Sequence, residues 1–193
     1  MKITIGVMGS ASDGGEGLPG HTLREKASAL GRSLAGRDIV LMTGATTGIV
    51  YLVGKSAQVS GVFHVGVSPA TSQGEHVARY QLPTDACDLI VYTGFGLKGR
   101  NDVLVRSCEI VIFIAGAMGS LNEFTIAHDE GKVIGCLTGT GGVADEADYI
   151  LQKFSTETGT NVIKNHHPEQ LLDACLTALR PDDRVLPPQP RVM

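Results

Sequence analysis

Ser120 and Glu123 stand three residues apart just after a turn of small residues, and this pairing is the part of the chain best suited to chemistry. The turn, Gly116-Ala117-Met118-Gly119-Ser120, follows the apolar run Ile110-Val111-Ile112-Phe113-Ile114-Ala115 and leads into Leu121-Asn122-Glu123-Phe124. It reads as a buried strand, a tight turn and a helix start. Such a turn leaves unpaired backbone N–H groups at the C-terminal edge of a sheet, where the helix N-terminus adds partial positive charge. That is the geometry of a phosphate site, to which Gly116, Ala117, Met118, Gly119 and Ser120 would contribute. A carboxylate one helical turn away works against simple phosphate binding and suggests that Glu123 acts on the ligand. The same Ser-x-x-Glu spacing also fits a capping box, in which Glu123 would reach back to the N-cap amide.

Arg100 follows the glycine-rich stretch Gly94-Phe95-Gly96-Leu97-Lys98-Gly99 and precedes a short helix expected over 101–108. It is either a solvated loop residue, the common fate of Arg, or a ligand contact. Arg106 either faces the same pocket or pairs with Glu109. Further glycine-rich turns fall at expected strand ends: Gly9 and Ser10 opening 9–15, Thr43 to Gly48, and Gly139 to Gly142. None reads G-x-G-x-x-G after the first strand, and there is no G-x-x-x-x-G-K-[ST], so neither a dinucleotide fingerprint nor a P-loop is supported. His128-Asp129-Glu130 has no partner His or Cys at ligand spacing, and His166-His167 reads as a helix entry before Pro168. We expect no metal.

These turns need a scaffold. Val- and Ile-rich strands are expected over 3–8, 38–43, 62–68, 88–93, 110–115, 133–138 and 161–165, several of them apolar on both faces. Helical patterns separate them, over about 21–35, 47–59, 101–108, 120–130, 143–155 and 168–180, with Pro168 at a first helical position and Gly131 ending a helix. The stretch 69–86 reads as irregular. The alternation predicts an α/β fold, a doubly wound Rossmann-like three-layer sandwich with a mainly parallel sheet of about seven strands. One domain is expected over 1–180, then a Pro-rich tail over 181–193, extended or disordered.

The 193 residues include 25 glycines and carry a formal net charge of -4, with no basic run and no aromatic–basic interleaving, so nucleic acid is not an expected partner. No apolar run is long enough to span a bilayer. Cys87, Cys108, Cys136 and Cys175 form no C-x-x-C pair. They read as small hydrophobes of a reduced, cytoplasmic protein.

Gly116-Ala117-Met118-Gly119-Ser120-Leu121-Asn122-Glu123 resembles the PGGxGTxxE signature of the LOG family, proteins long mislabelled as lysine decarboxylases. That family includes cytokinin riboside 5′-monophosphate phosphoribohydrolases and sits beside the molybdenum cofactor carrier proteins. Arg100-Asn101 stands where the family has Arg-Lys, Thr43 to Gly48 resembles its GGGxxG element, and Gly9-Ser10 its first turn. The likeness runs through roughly residues 3 to 138. It departs at Ala115 for Pro, Ala117 for the second Gly, Ser120 for Thr, Asn101 for Lys, and Gly44-Ala45-Thr46 for the three glycines. These changes lean towards the carrier branch.

The resemblance implies a small phosphorylated ligand such as a nucleoside 5′-monophosphate. Glu123 and Arg100 would be catalytic, and Gly9, Ser10, Thr43, Gly44, Gly48 and residues 116–120 would bind. Hydrolysis would release the free base and ribose 5-phosphate. The alternative is a carrier or sensor of a phosphorylated ligand, such as molybdenum cofactor or a nucleotide, without chemistry. A homodimer or larger homo-oligomer is implied by the family. No lysine context suggests a Schiff base with pyridoxal phosphate, so we expect no cofactor.

Overall fold

The computed structural model describes residues 1–11 and 20–179, with backbone alone at 20 and 21. Among these residues seven strands form one sheet: β1 (Ile3–Gly9), β2 (Ile39–Thr43), β3 (His64–Ser68), β4 (Leu89–Tyr92), β5 (Ile110–Ile114), β6 (Val133–Leu137) and β7 (Asn161–Asn165). Their order is β4-β3-β2-β1-β5-β6-β7, with every pairing parallel. The helices are α1 (Gly20–Ser33), α2 (Gly48–Val59), α3 (Gln73–Ala78), α4 (Gly96–Arg106), α5 (Met118–Asp129), α6 (Gly142–Phe154) and α7 (Pro168–Ala178).

The period of two along each strand divides the core. Ile5, Val7, Ile110, Ile112 and Ile114 face α1, α2 and α7, packing on Leu30, Ile49, Val53 and Leu171. Met8, Val111 and Phe113 face α4, α5 and α6, packing on Leu104, Phe124 and Ala144. Both faces are covered, which is why β5 and β6 read as unbroken apolar runs.

From β1 the chain winds outward to β4, then returns to place β5 on the other side of β1. Gly9 at the end of β1 therefore pairs with Ile114 at the end of β5. This is the topological switch point, where connections diverge and leave a crevice beyond the strand ends.

Two elements differ from expectation. The stretch 69–86 contains α3, capped by Ser72, whose Oγ accepts from Glu75 N at 3.2 Å, while Glu75 accepts from Thr71 N at 2.7 Å. The Ser72-x-x-Glu75 spacing is the capping signal for that helix. Helix α4 begins at Gly96, not near 101, so Lys98, Arg100 and Asn101 are helical. Gly96 and Gly99 are absorbed into its first turns, Gly96 with φ +67°, and Gly94 stays outside. The tail expected over 181–193 lies outside the described residues. Among the described residues, no helix is long and apolar enough to cross a membrane. Cys108, Cys136 and Cys175 are buried thiols, and Cys87 is half-buried.

Candidate functional site

A cleft of about 510 Å³ opens at the switch point, a size suited to a small ligand. Five segments build it: the end of β1 through Ala11, the turn after β2, Val50 in the first turn of α2, the first two turns of α4, and the start of α5. Gly9, Ser10, Gly44, Arg100, Ala117, Gly119, Ser120 and Glu123 line it, so most of the residues singled out from sequence come together.

The turn after β5 is held by α6. Ala115 and Gly116 take positive φ values of 53° and 107°. Their carbonyls accept from Ala144 N at 3.1 Å and Val143 N at 3.0 Å, and Ala115 N donates to Thr140 Oγ1 at 2.9 Å. These contacts occupy the start of α6, so the fourth glycine-rich turn, 139–142, is a brace for the third. Helix α5 starts at Met118 with Ala117 as an extended N-cap, and its first intrahelical bond is Leu121 N to Ala117 O. Among the described residues the N–H groups of Met118, Gly119 and Ser120 have no partner and are left to a ligand or solvent.

Ser120 sits in the third helical position and gives its hydroxyl to Gly9 O at 3.1 Å, linking the ends of β5 and β1. The capping-box reading of Glu123 therefore fails: the helix begins two residues before Ser120, and Glu123 lies in the second turn. Its side chain is turned to the cleft yet only 7% exposed. Burial raises its pKa to about 7, against the opposing pull of Arg100 and Lys98.

Arg100 is equally buried, at 7% exposure, rather than a solvated loop residue. Its Nη1 donates to Val67 O at 3.3 Å. No other protein partner is seen for its guanidinium among the described residues, which leaves most of its five donors for a ligand. Burial lowers its pKa and the charge of Glu123 raises it, without a direct ion pair between them among the described residues.

Asn101 links α4 to Glu123. In one orientation its amide nitrogen meets Asn122 Oδ1 at 2.9 Å, leaving its oxygen against acceptors. Turned over, with the Asn122 amide turned in step, Nδ2 donates to Glu123 Oε1 at 3.1 Å and to Leu97 O at 3.0 Å. In the second orientation Asn101 Nδ2 meets acceptors alone.

Four residues expected to bind do not line the cleft. Thr43 is 2% exposed, its hydroxyl engaged with His64. Gly48, with φ +72°, opens α2. Gly116 supplies turn conformation and room: a Cβ there would lie 2.6 Å from Ser120 Cβ. Met118 is 74% exposed, outside the cleft lining. Arg106 pairs with Asp102 at 3.1 Å and Glu130 at 2.7 Å, facing neither the cleft nor Glu109.

The sequence reading missed Thr46, Leu97, Lys98 and Asn101 as lining residues. A helix beginning at Gly96 would have revealed Leu97, which stands three residues before Arg100 and four before Asn101, with Lys98 three before Asn101. No cluster of His, Cys, Asp and Glu able to hold a metal occurs among the described residues.

The model of the SLOG cluster4 family matches residues 2–172. An uncharacterized protein of Archaeoglobus fulgidus is 28% identical over 111 residues, covering 58% of this chain and 68% of that one. The X-ray structure of TM1055 superposes with a TM-score of 0.77 at 24% identity, over 92% of this chain and 99% of that one. The molybdenum cofactor carrier protein of Chlamydomonas reinhardtii superposes with a TM-score of 0.69 at 25% identity, over 91% and 98%.

Proposed function

The chain belongs to the SLOG cluster4 family, and from that premise we propose that it binds a nucleoside 5′-monophosphate in the switch-point cleft and hydrolyses its N-glycosidic bond. The observation that carries this reading is the buried carboxyl of Glu123, held near neutral pKa, in the same cleft as a buried Arg100 and the open amides of α5. A carboxyl kept dry beside cations and an anion site is costly to fold, and such groups cluster at reactive centres.

In this mechanism the 5′-phosphate sits on the N–H groups of Met118, Gly119 and Ser120. Arg100 donates charge-assisted hydrogen bonds and fixes the ligand, its pKa being too high for proton transfer. As the bond from C1′ to the base nitrogen breaks, positive charge grows on the ribose, and the Glu123 carboxylate stabilises it. Water adds at C1′ and gives a proton to Glu123, which passes it to the departing base. The products are free base and ribose 5-phosphate. A pKa near the working pH suits a group that must take and return a proton.

A second reading, a carrier of a phosphorylated ligand such as molybdenum cofactor, is favoured by likeness to the Chlamydomonas carrier protein. The amide of Asn101 on Glu123 also supports it, since a carboxylate held by a hydrogen bond is a weaker base. Incubation with AMP and chromatography for adenine separates the two. Adenine release supports hydrolysis. Its absence, together with a phosphorylated ligand retained in native mass spectrometry, supports the carrier.

A further inference from the structure

We propose that Thr43 with His64, and Ser68 with His76, are two positioning pairs that seat the Arg100 guanidinium between the ends of β2 and β3. The inference rests on the cleft being the ligand site.

The two pairs repeat one design on adjacent strands. Thr43 ends β2 and Ser68 ends β3. Each hydroxyl accepts the backbone N–H two residues on, Ala45 N at 3.3 Å and Ala70 N at 3.1 Å. Each also meets an imidazole: Thr43 Oγ1 lies 2.8 Å from His64 Nε2, and Ser68 Oγ lies 2.8 Å from His76 Nδ1. The opposite ring nitrogen of each histidine meets a carbonyl in the segment between α3 and β4. His64 Nδ1 contacts Ala86 O, and His76 Nε2 lies 3.0 Å from Pro83 O. All four side chains are at most 2% exposed.

The proton order in each chain follows from chemistry. A carbonyl only accepts, so the ring nitrogen facing it carries hydrogen. The other nitrogen of a neutral ring accepts, so the hydroxyl must donate to it. The hydroxyl's lone pairs then face the backbone N–H. His64 is therefore the Nδ1–H tautomer and His76 the Nε2–H tautomer.

Arg100 is held by the residues next to these hydroxyls. A Cβ on Gly44 would lie 1.5 Å from Arg100 Nη1, so the guanidinium rests on the Gly44 backbone. Gly44 lies between Thr43 and Ala45, which takes a positive φ of 49°. On the other side Arg100 donates to Val67 O, the residue before Ser68. Loss of the Thr43 hydroxyl would leave His64 Nε2 with only the weak Cys87 thiol at 3.9 Å and Ala45 N–H without its acceptor, two buried groups at the turn that supports Arg100. Thr43, which sequence reading placed on the ligand, instead acts through Arg100.

The test uses Thr43→Val, which removes only the hydroxyl, beside Thr43→Ser, which keeps it. Nitrogen-15 spectra of the unliganded protein should show the two opposite tautomers, and Thr43→Val should move the Arg100 side-chain Nε–H resonance while Thr43→Ser leaves it in place. AMP affinity should fall roughly five- to tenfold in Thr43→Val, with no further loss when Thr43→Val is added to Arg100→Met. Should Thr43→Val not fold, Gly54→Ala serves instead, because its Cβ would lie 2.4 Å from His64 Cε1 and displace the ring. An unmoved Arg100 resonance in a folded variant, a reversed tautomer, or equal affinity losses with and without Arg100 overturns the proposal. If wild type binds no AMP, the ligand reading falls, and the resonances alone still decide the positioning.

Discussion

Gly44 and Arg100 share one volume: a Cβ on residue 44 would stand 1.5 Å from Arg100 Nη1. A glycine from β2's turn is thus the floor for a cation from α4, and the absence of a side chain at 44 is what lets the guanidinium reach the cleft while buried.

Gly44→Ala should therefore expel Arg100 without straining its own backbone, which has no positive φ. The expected loss in AMP affinity is roughly tenfold or more, the scale of charged hydrogen bonds. Calorimetry beside a thermal melt checks this. Wild-type affinity in the alanine variant would remove Arg100 from the binding site.

Glu123→Gln should lower adenine release roughly a hundredfold or more while leaving AMP binding intact. Wild-type kcat/KM should rise with pH up to about 7, as Glu123 ionises, and then level. That limb should vanish in the variant. Normal turnover by Glu123→Gln would end the catalytic assignment.

The same carboxyl has a stability signature. Its folded pKa, about 7, lies above the ordinary 4.5. Its favourable contribution is complete below pH 4.5 and is lost as pH rises to about 7, because the unfolded chain ionises first. Relative to Glu123→Gln, wild type should lose on the order of a few kcal/mol across that window and nothing more above it. Denaturant melts at pH 4, 6 and 8 (about one point per regime) test this; a constant difference between the two proteins would refute it.

Gly119 has open space where a Cβ would go. Gly119→Val should fold normally, since valine is no worse a helix residue than glycine, yet block a phosphate from the α5 amides. Affinity for AMP should drop about tenfold or more. Unchanged binding would move the phosphate elsewhere.

Ala115 holds a left-handed φ of 53°, which costs an L-residue about 1–2 kcal/mol. Ala115→Gly should relieve part of this and raise Tm by roughly 2–4 °C. Ala115→Pro should destabilise the fold by about 3 kcal/mol or more, since it removes the N–H bonded to Thr140 and cannot adopt positive φ. A stable proline variant would show that the turn rearranges freely.

Sheet and helices were legible because strands buried on both faces leave unbroken apolar runs, as in Ile110–Ile114. The gathering of Gly9, Gly44, Arg100 and Glu123 was legible through glycine-rich turns at strand ends. What stayed hidden was register. Glycines at 94, 96 and 99 read as loop, though packing absorbs 96 and 99 into α4, and this concealed Lys98 and Asn101. Ser120-x-x-Glu123 matched a capping box, but the helix starts earlier because α6 fixes the carbonyls of Ala115 and Gly116. Thr43 looked like a ligand contact because nothing local announces that His64 will claim its hydroxyl.

The bond from Ser120 to Gly9 O spans 111 positions of the chain. Each wall of the cleft belongs to a different βα unit, and the walls meet only when β5 docks on β1. Local units need only short loop closures, whereas this one spans over a hundred residues and costs more chain entropy. Ligand affinity during refolding thus serves as a clock for the docking of β5 on β1: a chain without that pairing, however rich in helix and strand, has no site to offer.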